Sequence, residues 1–185
     1  MNEIAYVGLG SNRGTRAAAL VRSLCALRAV PGVEILRTSR IYETRPVGPP
    51  QRLYLNAAAA VQCHLQPKEL LEHLLAIERE AGRVRGAPNA PRTLDLDLLF
   101  FGTFELQTPK LVLPHPRLHE RAFVLVPLSE IAPHFVHPAL GASVEDLAAR
   151  VRDPEAVWLW RGSSRTRAAW QRLQMAYERE PVSGA

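Results

Sequence analysis

Two aspartates stand two residues apart in the stretch TLDLDLLFF, residues 93–101, where leucines alternate with them. On a strand, Asp95 and Asp97 would share one face, with Cα atoms roughly 6.5–7 Å apart, while the leucines and Phe100 take the other face. Two carboxylates at that distance repel each other unless cations lie beside them, and carboxylates combined with phosphate oxygens suit Mg²⁺. The pattern predicts a magnesium site. Acids on the water-facing side of a half-exposed strand would give the same alternation.

A basic loop precedes this strand. Residues 82–92 contain Arg83, Arg85 and Arg92 together with glycines and prolines, and they contain no acid. Guanidinium groups beside magnesium-binding carboxylates would hold the phosphate oxygens that the metal leaves uncovered. The loop therefore predicts a polyphosphate site, with an ordinary solvated loop as the alternative. The sequence lacks the pattern G-x-x-x-x-G-K-[ST], which excludes the P-loop class of nucleotide-binding proteins.

The stretch PHPRLHERAF, residues 114–123, adds further cationic groups. We expect His115 and Arg121 to contact phosphate. The alternative is a helix-capping turn, to which Arg117 and Glu120 would belong. A zinc site on His115 and His119 is disfavoured, because Pro116 interrupts their helical spacing and no third ligand is evident.

An aromatic side chain and an amide share a face on the strand near residue 55. Tyr54 and Asn56 follow the Pro/Gly-rich loop 44–52. Such a pair can stack on a flat heterocycle and hydrogen-bond its edge. A tyrosine lying on the sheet under a loop is the alternative.

The elements that must position these residues follow one another as β-α-β-β-α-β. That order is typical of the ferredoxin-like α+β fold, in which helices cover one face of a mainly antiparallel sheet. A stretch over 111–128 begins extended and becomes helical after Pro116. Residues 164–180 predict an amphipathic helix that docks on the domain or on a partner. Hydrophobic spacing and turn residues predict strands over 4–9, 33–43, 53–65 and 93–101, and helices over 15–29 and 67–81.

The composition is that of a globular protein, and its basic charge favours anionic ligands, with an alanine- and arginine-rich proteome as the alternative explanation of the many arginines. The 185 residues suffice for one domain with a sizeable core, and the net charge is +5 with a pI near 9.8. We expect a cytoplasmic protein, because the sequence shows no membrane span, no signal peptide and only two isolated cysteines. The high pI leaves an RNA-binding module as an alternative, but the sheet face carries acids and small residues where paired aromatics are needed. A D-x-D glycosyltransferase is disfavoured by the short chain.

Taken together, five segments resemble the 6-hydroxymethyl-7,8-dihydropterin pyrophosphokinase family of the folate pathway. The segments are YVGLGSN (6–12), YETRPVGP…YLNAA (42–58), IEREAGRVR (77–85), PRTLDLDLLFFG (91–102) and LPHPRLHERAFVLVPLSEIAP (113–133). The resemblance implies transfer of pyrophosphate from MgATP to the pterin hydroxymethyl group, leaving AMP. It also implies a ferredoxin-like three-layer α/β/α fold and two magnesium ions. We expect a monomer that binds neither nucleic acid nor membrane, with the C-terminal helix as a contact surface.

The resemblance also implies roles for individual residues. Asp95 and Asp97 would bind the magnesium ions, and Arg83, Arg92 and Asp97 would be catalytic. The ATP-binding residues would be Glu78, Arg83, Arg85, Arg92, Lys110, His115 and Arg121. The pterin-binding residues would be Thr44, Arg45, Pro46, Val47, Tyr54, Asn56 and Phe123. The pyrophosphokinase domain would span 1–163, followed by a helical extension and tail over 164–185. The basic loop is one residue shorter than in the family and lacks its usual tryptophan.

Overall fold

The computed structural model describes residues 2–48, 50–83, 90–151 and 156–177. Within these ranges the chain forms strands on one main sheet and one small sheet, together with helices. The strands are β1 (Glu3–Ser11), β2 (Val33–Thr38), β3 (Tyr42–Thr44), β4 (Tyr54–Cys63), β5 (Asp95–Phe101), β6 (Leu106–Gln107), β7 (Val112–Leu113) and β8 (Val157–Leu159). The helices are α1 (Arg16–Arg28), α2 (Pro67–Glu80), α3 (Ala122–Ile131), α4 (Val144–Val151) and α5 (Ser164–Tyr177), with a short 3₁₀ helix at Leu118–Glu120.

The main sheet is antiparallel. Its strands run in the order β5-β1-β4-β3-β8, and β2 also pairs with β4. The long pairing of β1 with β4 extends from Glu3 opposite Cys63 to Ser11 opposite Leu55. The predicted alternation along β4 is confirmed, because Ala57 and Ala59 face one core while Ala58 and Ala60 face the other. The α+β class and the antiparallel sheet agree with the sequence prediction.

Helices cover both faces of this sheet, whereas the element order alone predicted one covered face. On one face, Leu24 of α1 and Leu74 of α2 belong to the larger core. On the other face, Leu125 of α3 and Leu147 of α4 pack in a second core. The reason lies in the sequence of α3, AFVLVPLSEI, which is so apolar that it must be buried.

Helix α2 has distinct start and stop signals. Pro67 stands in its first turn, and the Gln66 N–H donates to Glu69 Oε2 at 2.7 Å. Gly82 adopts a φ of 76° just beyond the helix end, a left-handed conformation that glycine accepts without strain. These signals fix the length of the helix, and they bring Glu78 in its last turn against the start of β5.

The single strand predicted over 33–43 is wrong, because the structure has two strands there. β2 ends opposite Ala59 of β4, and β3 begins with Tyr42 opposite Asn56. Residues 39–41 therefore face only two residues of β4, which makes a bulge. Ser39 is fully buried in this bulge, and its hydroxyl accepts the Ala58 N–H at 2.9 Å.

The predicted face of Phe100 is also wrong. The register between β1 and β5 shifts after Leu98, which lies opposite Val7, so that Phe100 lies opposite Tyr6. One extra residue, Leu99, is accommodated by this shift. Phe100 consequently turns to the second core and packs against Phe135, with ring centroids 4.8 Å apart. Leu96 and Leu98 face the larger core as predicted.

The C-terminal part of the described chain packs on the sheet. Helix α5 contacts β2 and α1, and it contributes Trp170 and Tyr177 to the larger core. Strand β8, which the sequence did not predict, pairs with the outer edge of β3. Among the helices of the described ranges, none combines the length and the apolar character needed to cross a membrane.

Candidate active site

A cavity of about 610 Å³ lies where β1, β4 and β5 meet the chain segments around residues 45 and 120. Most of the residues singled out from the sequence line it. These are Thr44, Arg45, Val47, Tyr54, Asn56, Arg92, Asp95, Asp97, His115, Arg121 and Phe123. The structure thus brings together side chains that are up to 79 positions apart in the chain, from residue 44 to residue 123.

The two aspartates project from β5 towards this cavity, opposite glycines of β1. Gly10 lies opposite Asp95, and Gly8 lies opposite Asp97. A Cβ atom at Gly10 would stand 2.9 Å from Asn56 Oδ1, which is closer than atoms ordinarily approach. A side chain at this position would therefore displace the Asn56 amide, so the floor of the cavity depends on the glycine.

Asp95 lies at the centre of a charge network. Arg92 hydrogen-bonds Asp95 Oδ2, and Arg83 lies 2.6 Å from Asp95 Oδ1. The second contact is an ion pair without hydrogen-bond alignment, since the buried Oδ1 has no hydrogen-bond partner among the described residues. Arg83 also pairs with Glu78, so two arginines are shared between two acids. The basic loop contains no acid of its own, and the partners of Arg83 and Arg92 are acids of α2 and β5.

Glu78 joins helix α2 to strand β5. Its Oε1 accepts the Leu96 N–H at 2.7 Å, at a residue between the two aspartates. The side chain is 4% exposed, and burial raises the pKa of Glu78 to about 7, although the Leu96 N–H and Arg83 favour the charged form.

Asp97 makes no hydrogen bond or ion pair with the side chains that the structure describes, although it lines the cavity. Burial, followed by repulsion from Asp95, raises the pKa of Asp97 to about 6. Arg121, Arg92 and Arg83 act in the opposite direction. The result is a carboxylate that has no direct partner among the described side chains and would be stabilised by a cation.

His115 is held as a neutral imidazole at pH 7. Burial, together with the nearby cations Arg121 and Arg117, lowers the pKa of His115 to about 4. Its Nδ1 accepts the Arg117 N–H at 3.3 Å, so the ring proton belongs on Nε2. The ring is therefore a neutral hydrogen-bond donor.

Aromatic side chains and one amide line the same cavity. Tyr54 and Phe123 line it, and the Arg121 guanidinium lies 5.6 Å from the centroid of the Phe123 ring. Asn56 is buried, and its Nδ2 donates to Thr44 Oγ1 at 2.8 Å. That bond fixes the amide orientation and leaves Asn56 Oδ1 on the Gly10 side.

Asn12, at the end of the motif YVGLGSN, ties two loops together. Its Oδ1 accepts the Arg92 N–H at 2.7 Å, and its Nδ2 donates to Gln51 Oε1 at 2.8 Å and to the Arg52 carbonyl at 3.2 Å. The sequence analysis assigned no role to Asn12, although its presence in the motif was a signal. The loop next to Tyr54 and the loop that carries Arg92 are thereby joined through one side chain.

Some predicted residues lie elsewhere. Lys110 lines a separate cavity of about 510 Å³ that also includes Lys68 and Phe104. Pro46 belongs to the same loop as Arg45 and Val47 but does not line the main cavity. Glu78 and Arg83 stand behind Asp95, outside the lining. Arg85 and the shortened part of the basic loop lie outside the described residues.

Several lining residues escaped the sequence analysis. Arg117 and Glu120 line the cavity, although their positions in the sequence indicated only a helix-capping turn. Ala156 and Val157 also line it, because β8 pairs with β3. No sequence signal could have placed them there, since this pairing joins residues more than 100 positions apart.

Comparisons with known proteins identify the family. The family model described as 7,8-dihydro-6-hydroxymethylpterin-pyrophosphokinase (HPPK) matches residues 6–133. The 2-amino-4-hydroxy-6-hydroxymethyldihydropteridine pyrophosphokinase of Synechocystis is 46% identical over 154 residues, which cover 83% of this chain and 78% of that protein. The Bacillus subtilis protein of the same name is 43% identical, over 82% of this chain and 91% of that protein.

Solved structures agree with the fold. The crystal structure of Plasmodium falciparum HPPK-DHPS matches with a TM-score of 0.63 at 15% identity, and the match covers 81% of this chain and 45% of that chain. At this identity the likeness bears on the fold alone. The matched segment and the sequence relatives show that the chain belongs to the 7,8-dihydro-6-hydroxymethylpterin-pyrophosphokinase family.

Proposed function

We propose that this protein is an ATP-dependent diphosphokinase of folate biosynthesis that transfers pyrophosphate from MgATP to 6-hydroxymethyl-7,8-dihydropterin and releases AMP. The observation that carries the proposal is the cavity itself. It brings paired carboxylates and arginines together with the aromatic side chains Tyr54 and Phe123 and the Asn56 amide, in a chain of this family. The RNA-binding alternative finds no support, because the sequence relatives are named pyrophosphokinases.

The aromatic and amide side chains of the cavity would hold the pterin. Tyr54 and Phe123 would stack on its two faces, and the Asn56 amide would read its polar edge. The hydrogen bond from Asn56 to Thr44 supports this role, because an amide of fixed orientation can distinguish donors from acceptors. Backbone groups of residues 44–47 would complete the pocket.

The cationic side chains of the cavity would hold the triphosphate. Arg92 and Arg121 line the cavity and would bind phosphate oxygens, and neutral His115 would donate from Nε2. Arg83, Arg85, Glu78 and Lys110 remain proposed contacts on the nucleotide side. We propose that the loops 44–52 and 83–92 close over MgATP; residues 49 and 84–89 lie outside the described residues. The bonds from Asn12 to Gln51 and Arg92 link the parts of the two loops that the structure describes.

Asp95 and Asp97 fit Mg²⁺. Within the described residues no group of three or more His, Cys, Asp or Glu side chains is placed to hold a metal, so phosphate and water oxygens would supply the remaining ligands. Two further features support the fit: the buried Asp95 Oδ1 makes no hydrogen bond with a described residue, and Asp97 has a raised pKa that a cation would lower. We propose two ions, which would neutralise charge on the phosphates.

The protein's own groups would align the reactants and stabilise charge. The pterin hydroxyl would attack the β-phosphorus in line, the bond to the α-phosphate oxygen would break, and AMP would leave with the electron pair. Asp97 would accept the hydroxyl proton, because its carboxylate lines the cavity and makes no hydrogen bond or ion pair with a side chain of the described residues. Arg83 and Arg92 would shift from Asp95 to the phosphates, where they stabilise the transferred group.

Finer features of the molecule belong to the same proposal. The order β5-β1-β4-β2 with α1 and α2 between strands supports a ferredoxin-like arrangement. We further propose a cytoplasmic monomer, with a pyrophosphokinase domain over 1–163 and a C-terminal extension over 164–185 that offers a contact surface.

One assay tests the function. Incubation with MgATP and the dihydropterin should yield AMP, and Asp97→Asn should reduce kcat by orders of magnitude. Glu72→Gln is a matched control, because it neutralises an exposed acid on the outside of α2. ADP as the nucleotide product would contradict pyrophosphoryl transfer, and an equal loss in the control would contradict the role of Asp97.

A further inference from the structure

Helix α5 holds the chain at the point where β2 ends. The Trp170 indole is 3% exposed, and its Nε1 donates to the Ser39 carbonyl at 2.9 Å. One turn further along the helix, Gln174 Nε2 donates to the Thr38 carbonyl, also at 2.9 Å. Helix α5 therefore provides the hydrogen bonds for two consecutive carbonyls at the bulge between β2 and β3.

Ser39 is the residue on which the bulge depends. Its N–H donates to the Ala58 carbonyl, and its hydroxyl accepts the Ala58 N–H, both at 2.9 Å. The same hydroxyl donates to the Arg40 carbonyl at 2.8 Å. With Trp170 on its carbonyl, every polar group of this fully buried residue has a partner, which an interior position requires. Loss of the indole N–H would leave a buried carbonyl unsatisfied.

The bulge sets the register of β3 against β4. Tyr42 lies opposite Asn56 and Thr44 lies opposite Tyr54. A slip by one residue would turn Thr44 to the other face of the sheet, because side chains alternate along a strand. The hydrogen bond from Asn56 to Thr44 would then be lost.

The C-terminal segment also holds β3 from its outer edge. Strand β8 pairs with β3, the Trp160 N–H donates to the Ile41 carbonyl, and the Arg45 N–H donates to the Ala156 carbonyl, each at 3.0 Å. Residues 156–177 thus contact both ends of β3, and α5 lies beyond the family-matched segment 6–133.

We infer that α5 acts as a clamp on the candidate pterin pocket, with Trp170 as a positioning residue that fixes the β3 register through Ser39. This inference rests on the proposed function. It assigns to the C-terminal helix a task inside the reaction: it keeps Thr44 and Asn56 in the arrangement that reads the pterin edge.

The test compares Trp170→Phe with wild type in the full-length protein. Phenylalanine fills much of the same apolar space but cannot donate, so one hydrogen bond is lost. We expect the dihydropterin Kd to rise about fivefold, which corresponds to the loss of one ordinary hydrogen bond. The Kd of a non-hydrolysable ATP analogue should not change. Met175→Ala, on the exposed side of α5, is the control and should match wild type. Gln174→Met is a second variant in case Trp170→Phe does not fold.

Hydrogen exchange supplies a readout that does not need turnover. Trp170→Phe should speed exchange of the Tyr42–Thr44 amides and leave β1 protected. If a folded variant shows an unchanged pterin Kd and unchanged exchange, the inference that α5 acts as a clamp is wrong, and α5 only packs on the sheet. If wild type makes no AMP, the proposed function fails, whereas faster exchange confined to β3 would still support the register role of Trp170.

Discussion

The substitution Gly10→Ala tests the geometry of the candidate pterin pocket with one methyl group. The new Cβ would stand 2.9 Å from Asn56 Oδ1, whereas ordinary van der Waals contact begins at 3.4 Å. The amide must therefore move by about 0.5 Å. Asn56 is 6% exposed, so it has little room to turn away into solvent.

The magnitude follows from the hydrogen bond that this movement disturbs. Gly10 on β1 and Thr44 on β3 flank Asn56 of β4 from opposite sides, and Asn56 Nδ2 already lies 2.8 Å from Thr44 Oγ1. A displacement of about 0.5 Å towards Thr44 would press the bond out of the roughly 2.7–3.2 Å range of good hydrogen bonds, so the amide must turn and give the bond up. Loss of such a bond costs about 1 kcal/mol, which corresponds to about a fivefold rise in the dihydropterin Kd. Alanine is otherwise favourable in a strand by roughly 0.5–1 kcal/mol relative to glycine, so Tm should change little.

Calorimetric titration with the dihydropterin, and separately with a non-hydrolysable ATP analogue, measures this effect. The matched control is Gly8→Ala on the same strand, where the new Cβ would meet only Leu99 side-chain carbons at 3.5 Å, an ordinary contact. We expect weaker pterin binding in Gly10→Ala and wild-type binding in Gly8→Ala. Equal pterin affinity in the two variants would refute the argument that Gly10 makes room for the Asn56 amide.

Two further predictions concern charge and loop coupling. Asp97→Asn should abolish AMP formation yet raise the free energy of unfolding at pH 8 by up to about 3 kcal/mol. The pKa of Asp97 is about 6 in the folded protein, above the ordinary value of 3.8. Ionisation of Asp97 therefore destabilises the folded wild type as the pH rises from 4 to beyond 6, and asparagine removes this cost. Thermal melts of both proteins should converge near pH 4, and a variant that is less stable at pH 8 would contradict this. Asn12→Ala removes the side chain that bonds both Gln51 and Arg92, so KM should rise severalfold for both substrates. An effect on one substrate alone would show that the loops are independent; the exposed Asn2→Ala is the control.

The sequence predicted the elements whose hydrophobic pattern is simple. Helices α1 and α2 and the two faces of β4 lie as expected, because apolar spacing and turn residues specify them locally. The break at Ser39 and the turned Phe100 were missed, since a bulge depends on the partner strand and leaves no periodic trace.

The candidate site could be predicted where motifs carry chemistry and not where it depends on long-range pairing. The aspartates and the arginines around them were found from their types and spacing. The partners of Arg83 were not, because Glu78 reaches Leu96 and Arg83 only when α2 packs on β5. Strand β8 has three residues, too few for a hydrophobic pattern to distinguish it from a loop.

The bond from the Leu96 N–H to Glu78 has a consequence for how this enzyme family can vary. This hydrogen bond joins the end of α2 to the open edge of β5 between the two aspartates. A second hydrogen bond, from the Arg92 N–H to Asn12, holds the chain just before β5. Both bonds lie outside the connection that they bracket. We therefore expect insertions and deletions in this connection to alter nucleotide affinity while the Asp95–Asp97 pair stays in place.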